Sequence, residues 1–280
     1  MPRGRPPRGY YKDYPTLLRR IGIRRDIMNI LVCVKRVPDV GARIDLNEDK
    51  KTVSTKNLGF CISPHEECAV EEAIKLVEEH GGQSTVLTLG PAAAEEQLRD
   101  CLARGIDRGI LLETDGGEWG SQETAEALKT VIQAESAKEP IDLILFGNES
   151  ADSGACQVGI RVAHGLDLPC IAGIKKLEIS DGKATASREV DSGMEIYELP
   201  MPAVATVRDG MNLPRYPSLR GTMKAKKKPI DKSSPSKSGA GLHMQQLSHP
   251  PEQKKEVTML GEGPQAAVKI VELLKTLEVI

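Results

Sequence analysis

The strongest constraint on the fold is an alternation of short apolar runs with helix-length amphipathic segments, which begins at residue 28 and continues to residue 165. Ile30 to Val34 reads ILVCV, a continuous apolar run of the kind found in a strand covered on both faces. Between Glu66 and Glu79 the apolar residues Cys68, Ala69, Ala73, Ile74 and Val77 fall on one helical face. The pattern then predicts a strand over 84–89, a helix over 92–104 and a strand over 106–112. A helix over 121–137, a strand over 141–146 and a helix from about Ser153 to Gly165 complete the series. One segment departs from it: residues 43–55 alternate around a turn at Asn47 to Lys50 and predict a β-hairpin. Strands and helices at this spacing imply a mostly parallel, doubly wound α/β sheet with helices on both faces. In such sheets ligands bind beyond the carboxyl ends of the strands.

After residue 168 the pattern changes to a meander of strands, turning at Asp181-Gly182 and at Asp191-Ser192-Gly193. The stretch from Asn212 to Ile230 holds six Lys or Arg and no acid, together with Leu213, Leu219 and Met223 in no helical or strand period. Residues 231–255 are rich in Ser, Lys, Pro, Gly and Gln, the composition of a linker or arm. The final stretch, Gly263 to Val279, carries Ala267, Ile270, Val271, Leu274 and Leu277 on one face and has no local partner in the pattern, so it is expected to dock onto something. Residues 1–27 hold eight Lys or Arg and two acids. They admit three readings: a transit-like segment, a disordered basic arm, or an extension upstream of a start at Met28. The third is preferred, because Met28 directly precedes a buried-strand pattern. The expected organisation is therefore an extension (1–27), an α/β domain (28–229) and a C-terminal arm with its helix (230–280).

Composition narrows the function. A formal charge of −2 argues against bulk nucleic-acid binding. Aromatic residues are only 3%, so the core must be aliphatic. The apolar runs fall well short of the ~18 residues a membrane span requires. The six cysteines form no CxxC pair and no Cys/His ligand cluster, which suits reduced, mostly buried thiols. The five histidines stand in dissimilar contexts, no serine has an evident base, and no carboxylate pair stands out. Redox chemistry in such a chain would need a cofactor to handle the electrons.

Three segments could bind a ligand. In LILFGNESADSGACQVG (143–159) an apolar strand ends at Gly147 and a polar loop leads into a helix. Free N–H groups and the positive end of the dipole at a helix start favour a phosphate or carboxylate. Ser150, Ser153 and Gln157 can add donors, and Asp152 suits a cap or a ligand hydroxyl; a plain helix cap would need no ligand. The segment is neither a Walker loop nor a GxGxxG turn. In CVKRVPD (33–39), Cys33 falls at the carboxyl edge of the first strand, where packing is its ordinary role. In ISPHEECAVEEA (62–73), Ser63 and Glu66 have capping-box spacing at a helix start; a nucleotide contact is the sharper alternative.

Four segments together carry a family resemblance: NILVCVKRVPD, GNESADSG followed by CQVG, REVDSGMEIYELPMPAVATV (188–207) and above all PRYPSLRGTMKAKKK (214–228). In this order they resemble the beta subunit of electron-transfer flavoproteins, over about residues 28–280. The resemblance implies a Rossmann-like, adenine-nucleotide-binding fold and a heterodimer with a homologous alpha subunit. FAD would be held mainly by alpha and an AMP by beta. Electrons would come from acyl-CoA and related flavin dehydrogenases and go to a quinone oxidoreductase. The location would be cytoplasmic in a bacterium and the mitochondrial matrix in a eukaryote. Carried over by motif, the AMP contacts are Cys33, Ser63, Pro64, His65, Glu66, Leu89 and the segment Gly147–Val158, within which Gly147, Asn148, Ser150, Ser153, Gly154, Ala155, Gln157 and Val158 are favoured. This chain has Asp152-Ser153-Gly154 where some members carry an acidic run. Leu219 corresponds to an anchor leucine that enters a pocket on partner dehydrogenases. Arg215, Arg220, Lys224, Lys226, Lys227 and Lys228 would form its cationic rim, and Lys224 and Lys227 match positions methylated in some members. The final helix would be an inter-subunit anchor. Two alternatives remain: a bifurcating type with a second FAD in the beta site, and a stand-alone nucleotide-binding α/β protein, which would leave residues 188–230 unexplained.

Overall fold

The computed structural model describes residues 27–237, 242, 244–251 and 257–280; residues 1–26 of the expected N-terminal extension (1–27) lie outside them. Two units are distinguished. The first comprises the chain to Asp45 and Val53–Met244; the second comprises Leu46–Thr52 and Gln245–Ile280.

The first unit is organised by one nine-stranded sheet in the order β11-β5-β4-β1-β6-β10-β7-β8-β9. Its strands are β1 (Met28–Val34), β4 (Gly82–Gly90), β5 (Arg108–Glu113), β6 (Leu143–Gly147), β7 (Cys170–Ser180), β8 (Lys183–Val190), β9 (Gly193–Pro200), β10 (Ala203–Val207) and β11 (Ile230–Ser233). A small antiparallel pair, β2 (Val37–Pro38) and β3 (Phe60–Cys61), stands apart. From β11 to β7 all neighbours are parallel, while β7–β8–β9 are antiparallel. The expected parallel sheet and the expected meander are thus parts of one sheet.

Burial explains the apolar runs. Successive side chains of a strand point to opposite faces. In β1, Ile30, Val32 and Val34 enter one core, while Leu31 and Cys33 enter the other. Leu143 and Leu145 of β6 likewise oppose Ile144 and Phe146. The first core packs under α1 (Pro64–His80) and α2 (Glu95–Arg104), the second under α3 (Ser121–Lys138) and α4 (Val158–Leu166).

Two expectations are corrected. The last helix of the series begins at Val158 rather than near Ser153. Gly154 and Cys156 take left-handed φ of +56° and +54°, which the α-helix does not accommodate. The expected hairpin over 43–55 is present in short form: the Asn47 N–H donates to the Thr52 carbonyl at 3.0 Å and the Ser54 N–H to the Asp45 carbonyl at 2.8 Å, around a turn closed by the Lys50 N–H on the Asn47 carbonyl. Residues 230–233, expected within the arm, form β11 and extend the sheet beside β5.

The second unit ends in a helix, α6 (Ala266–Thr276). Val268, Ile270, Val271, Leu273 and Leu277 on and after it are all exposed. No helix among the described residues is long and apolar enough to cross a membrane.

Candidate functional site

The chain winds from β1 to β4 and β5 on one side, then returns to place β6 on the other side of β1. The connections leaving β1 and β6 therefore run in opposite directions. Such a reversal opens a crevice at the carboxyl ends of the two strands, the usual ligand position in an open α/β sheet. Cys33, Gly147 and Asn148 lie at this edge, and Leu89 lies one strand away, near the end of β4.

Three elements are locked together around the crevice. Gly147 abuts the start of α1 so closely that an added Cβ would lie 2.6 Å from Glu66 Cγ. Glu66 is buried and accepts the Ser63 and Lys35 main-chain N–H groups, each at 2.9 Å. Burial pushes its carboxyl up to about 8, against the pull of those two donors. Ser63 donates its hydroxyl to the Glu149 carbonyl at 3.2 Å, and Pro64 occupies the first helical turn. His65 accepts the Asp209 N–H at Nδ1, 3.0 Å, and places Nε2 3.3 Å from Glu149 Oε1. A neutral ring bonded in this way carries its proton on Nε2. The predicted residues 63–66 and 147–149 thus meet in space.

The loop over the crevice is polar. Ser150 and Ser153 hydroxyls lie 3.0 Å apart, and Lys35 Nζ meets Asp152 Oδ2 at 2.6 Å. Burial would raise the Asp152 carboxyl, but Lys35 and the Ser150 and Ser153 donors outweigh it and hold it below the usual range. Gly154, Ala155 and Gln157 lead into α4, whose N-cap residue Gln157 makes no side-chain cap bond; its Oε1 accepts from Arg161 instead. The N–H groups of the first turn, from Val158 onward, have no acceptor within the helix. Cys33 is not a nucleophile here: burial, aided by the Glu66 charge, keeps its thiol protonated.

This set fits an adenylate. An uncapped helix start and two hydroxyls suit a phosphate, while the carboxylates of Glu149 and Asp152 suit ribose hydroxyls. Two other grooves, of about 520 and 470 Å³, lie elsewhere. The first lies between α1 and residues 177–179, and the second beneath residues 217–226. The first is flanked by the acids Glu72, Glu78, Glu79 and Glu178, the second is lined largely by uncharged side chains such as Phe60, Ile62 and Pro217, and neither contains the crevice residues, so the crevice remains the candidate. Among the described residues no cluster of His, Cys, Asp and Glu could hold a metal ion. Lys35, Thr206 and Asp209 were not foreseen; only Lys35 carried a signal, being a cation directly after a β1-type strand.

The basic stretch is a fastened structure. Asn212 donates to the Cys68 carbonyl at 3.0 Å and to Glu72 at 2.9 Å. Arg215 grips Glu71 and Glu78 with its guanidinium and donates its own N–H to Glu71. A short helix, α5 (Leu219–Ala225), is capped by Ser218 Oγ, which accepts from Gly221 N at 3.0 Å. Gly221 lies against α2, where an added Cβ would stand 2.3 Å from the Ala103 carbonyl oxygen. Lys228 donates to the Leu102 and Gly105 carbonyls at the end of α2, and burial lowers its pKa. Arg99 caps α5 through the Ala225 and Lys228 carbonyls. Arg215 and Lys228, expected in a cationic rim, therefore face inward as fasteners, because buried carboxylates and carbonyls are nearer than solvent. Leu219 (89% exposed), Arg220, Lys224, Lys226 and Lys227 remain free to meet another molecule.

A family model described as "Electron transfer flavoprotein domain" matches residues 51–238. The chain is 36% identical over 250 residues to the electron transfer flavoprotein subunit beta of Syntrophomonas wolfei, covering 89% of this chain and 96% of the relative. It is 39% identical over 204 residues to the subunit beta of Bacillus subtilis, covering 73% and 78%. It is 32% identical over 204 residues to the Caffeyl-CoA reductase-Etf complex subunit CarD of Acetobacterium woodii, covering 72% and 77%.

Proposed function

The chain belongs to the electron transfer flavoprotein family, among its beta subunits, and from that premise we propose that it is the docking and scaffold half of a heterodimeric electron carrier. Members of this family carry electrons and do not catalyse a reaction of their own. The proposed mate is a homologous alpha subunit holding most of the FAD. When bound there, FAD supplies the one- and two-electron chemistry. Donors would be acyl-CoA and related flavin dehydrogenases, and the acceptor a quinone oxidoreductase.

The observation that carries this reading is a leucine side chain, Leu219, standing 89% exposed on a helix pinned from beneath. An exposed apolar group held rigid loses little entropy on entering a pocket. Its burial could contribute roughly 1.5–3 kcal/mol. The cations beside it would speed encounter with an acidic surface. In the crevice, Ser150, Ser153 and the start of α4 would hold the phosphate of an AMP, and Asn148, Glu149 and Asp152 would meet its polar groups. Ser63 to Glu66 would close one wall. Bound there, AMP would stabilise the folded subunit by linkage. The exposed apolar face of α6 would pack on the alpha subunit.

Similarity to CarD keeps a second reading in play, a bifurcating type with FAD in the beta crevice. Co-expression with the alpha subunit, purification and quantification of released nucleotides decides between them. One flavin and one AMP per heterodimer supports the first reading, two flavins the second. A chain that binds no alpha subunit and releases no adenine compound overturns both.

A further inference from the structure

The crevice has a support that lies well away from it in sequence. Thr206 is 3% exposed on β10, between β6 and β7. Beside it β7 carries an extra residue: Ala205 pairs with Ile171, but Val207 pairs with Ile174. Gly173, at φ +73°, absorbs this bulge. The bulge turns the Gly173 N–H towards Thr206, and it donates to Oγ1 at 2.9 Å.

A hydroxyl has one proton and two lone pairs. With Gly173 donating to one lone pair, the Thr206 proton is directed to Asn148 Oδ1, 2.9 Å away. Asn148 is held at its main chain as well, its N–H donating to the Val207 carbonyl at 2.8 Å. The amide is planar, so fixing Oδ1 against Thr206 turns Nδ2 away from it. Nδ2 makes no hydrogen bond among the described residues. Asn148 is the first residue after β6, where the crevice opens.

We propose that Thr206 is a positioning residue for the crevice: it orients the Asn148 amide so that Nδ2 donates to an acceptor atom of a bound adenine nucleotide. The inference rests on the AMP reading of the site. A purely structural Thr206 would serve only the Gly173 N–H, and the two roles separate experimentally.

The test titrates AMP into nucleotide-stripped heterodimer by calorimetry, with thermal melting in parallel. Thr206→Val preserves shape and removes the hydroxyl, and is expected to weaken AMP binding about tenfold. Thr206→Ser retains the hydroxyl and is expected to stay within about twofold of the unmodified dimer. In an Asn148→Ala background, Thr206→Val is expected to cost no further affinity, because the group it positions is gone. Unaltered affinity in Thr206→Val overturns the proposal, as does a tenfold loss that persists in the Asn148→Ala background. Should Thr206→Val fail to assemble, Asn148→Ala alone decides, since it leaves the Thr206–Gly173 bond in place. Unmodified affinity in that variant overturns the proposal, and about tenfold weakening supports it. Failure of the unmodified dimer to take up AMP refutes the nucleotide reading itself, and this role with it.

Discussion

Arg215→Ala tests whether the docking segment works because it is held still. The guanidinium meets Glu71 through Nε and Nη2 at 2.9 and 3.0 Å, and Glu78 through Nη1 and Nη2 at 2.6 and 2.9 Å. The Arg215 side chain is 34% exposed, but Glu71 is only 5% exposed. Removing the arginine strands a buried carboxylate that keeps only the Arg215 main-chain N–H. A fully buried pair broken in this way costs about 3–5 kcal/mol. Partial exposure of the arginine and the surviving N–H bond reduce that to about 2 kcal/mol. If the whole loss falls on the segment from Asn212 to Pro229, its docking-ready population drops by up to about thirtyfold, and apparent dehydrogenase affinity falls with it. Hydrogen exchange of this segment, measured beside reduction kinetics with a partner dehydrogenase, reads both quantities. Faster exchange and weaker docking together are the expected result. Weaker docking with unchanged exchange would refute the reasoning, because Arg215 would then be touching the partner itself.

Leu219→Ala is expected to slow reduction by a dehydrogenase about 10- to 100-fold, with heterodimer assembly by gel filtration unchanged. Gly221→Ala places a Cβ 2.3 Å from the Ala103 carbonyl oxygen, and α5 must move off α2. It should lower stability by about 1–3 kcal/mol, read by denaturant unfolding, and weaken docking without touching Leu219. Glu66 gives a pH signature. Its carboxyl is raised to about 8 in the folded chain, so between its ordinary unfolded value, about 4.3, and about 8 the folded state binds more protons than the unfolded. Its contribution is complete below the unfolded value and is lost as pH rises through about 8. Glu66→Gln should remove that part of the slope in melting curves recorded across this range; an unaltered slope contradicts the assignment.

Much of the fold was legible because burial leaves local marks. Ile30 to Val34 announces a strand covered on both faces without reference to any other residue, and α1 announces its buried stripe in the same way. The loop from Gly147 to Val158 was recognisable as a strand-to-helix turn, yet its helix begins five residues later than Ser153. The reason is a pair of left-handed residues, one of them Cys156, whose type does not advertise that conformation. Arg215 and Lys228 read as surface cations in a basic run. Their partners, Glu71 and the carbonyls of α2, lie more than a hundred residues earlier.

The sequence by itself determined the alternation of strands and helices, the polar turn after β6 and the leucine set among lysines, since each depends on residues close together in the chain. Only the tertiary structure decided that β10 enters between β6 and β7, that Thr206 reaches Asn148 across 58 residues, and that two of the cations are fasteners. The physical reason is that buried strands look alike: each is an apolar run. Which runs become neighbours, and which polar groups their ends bring together, is settled by how all of them pack at once.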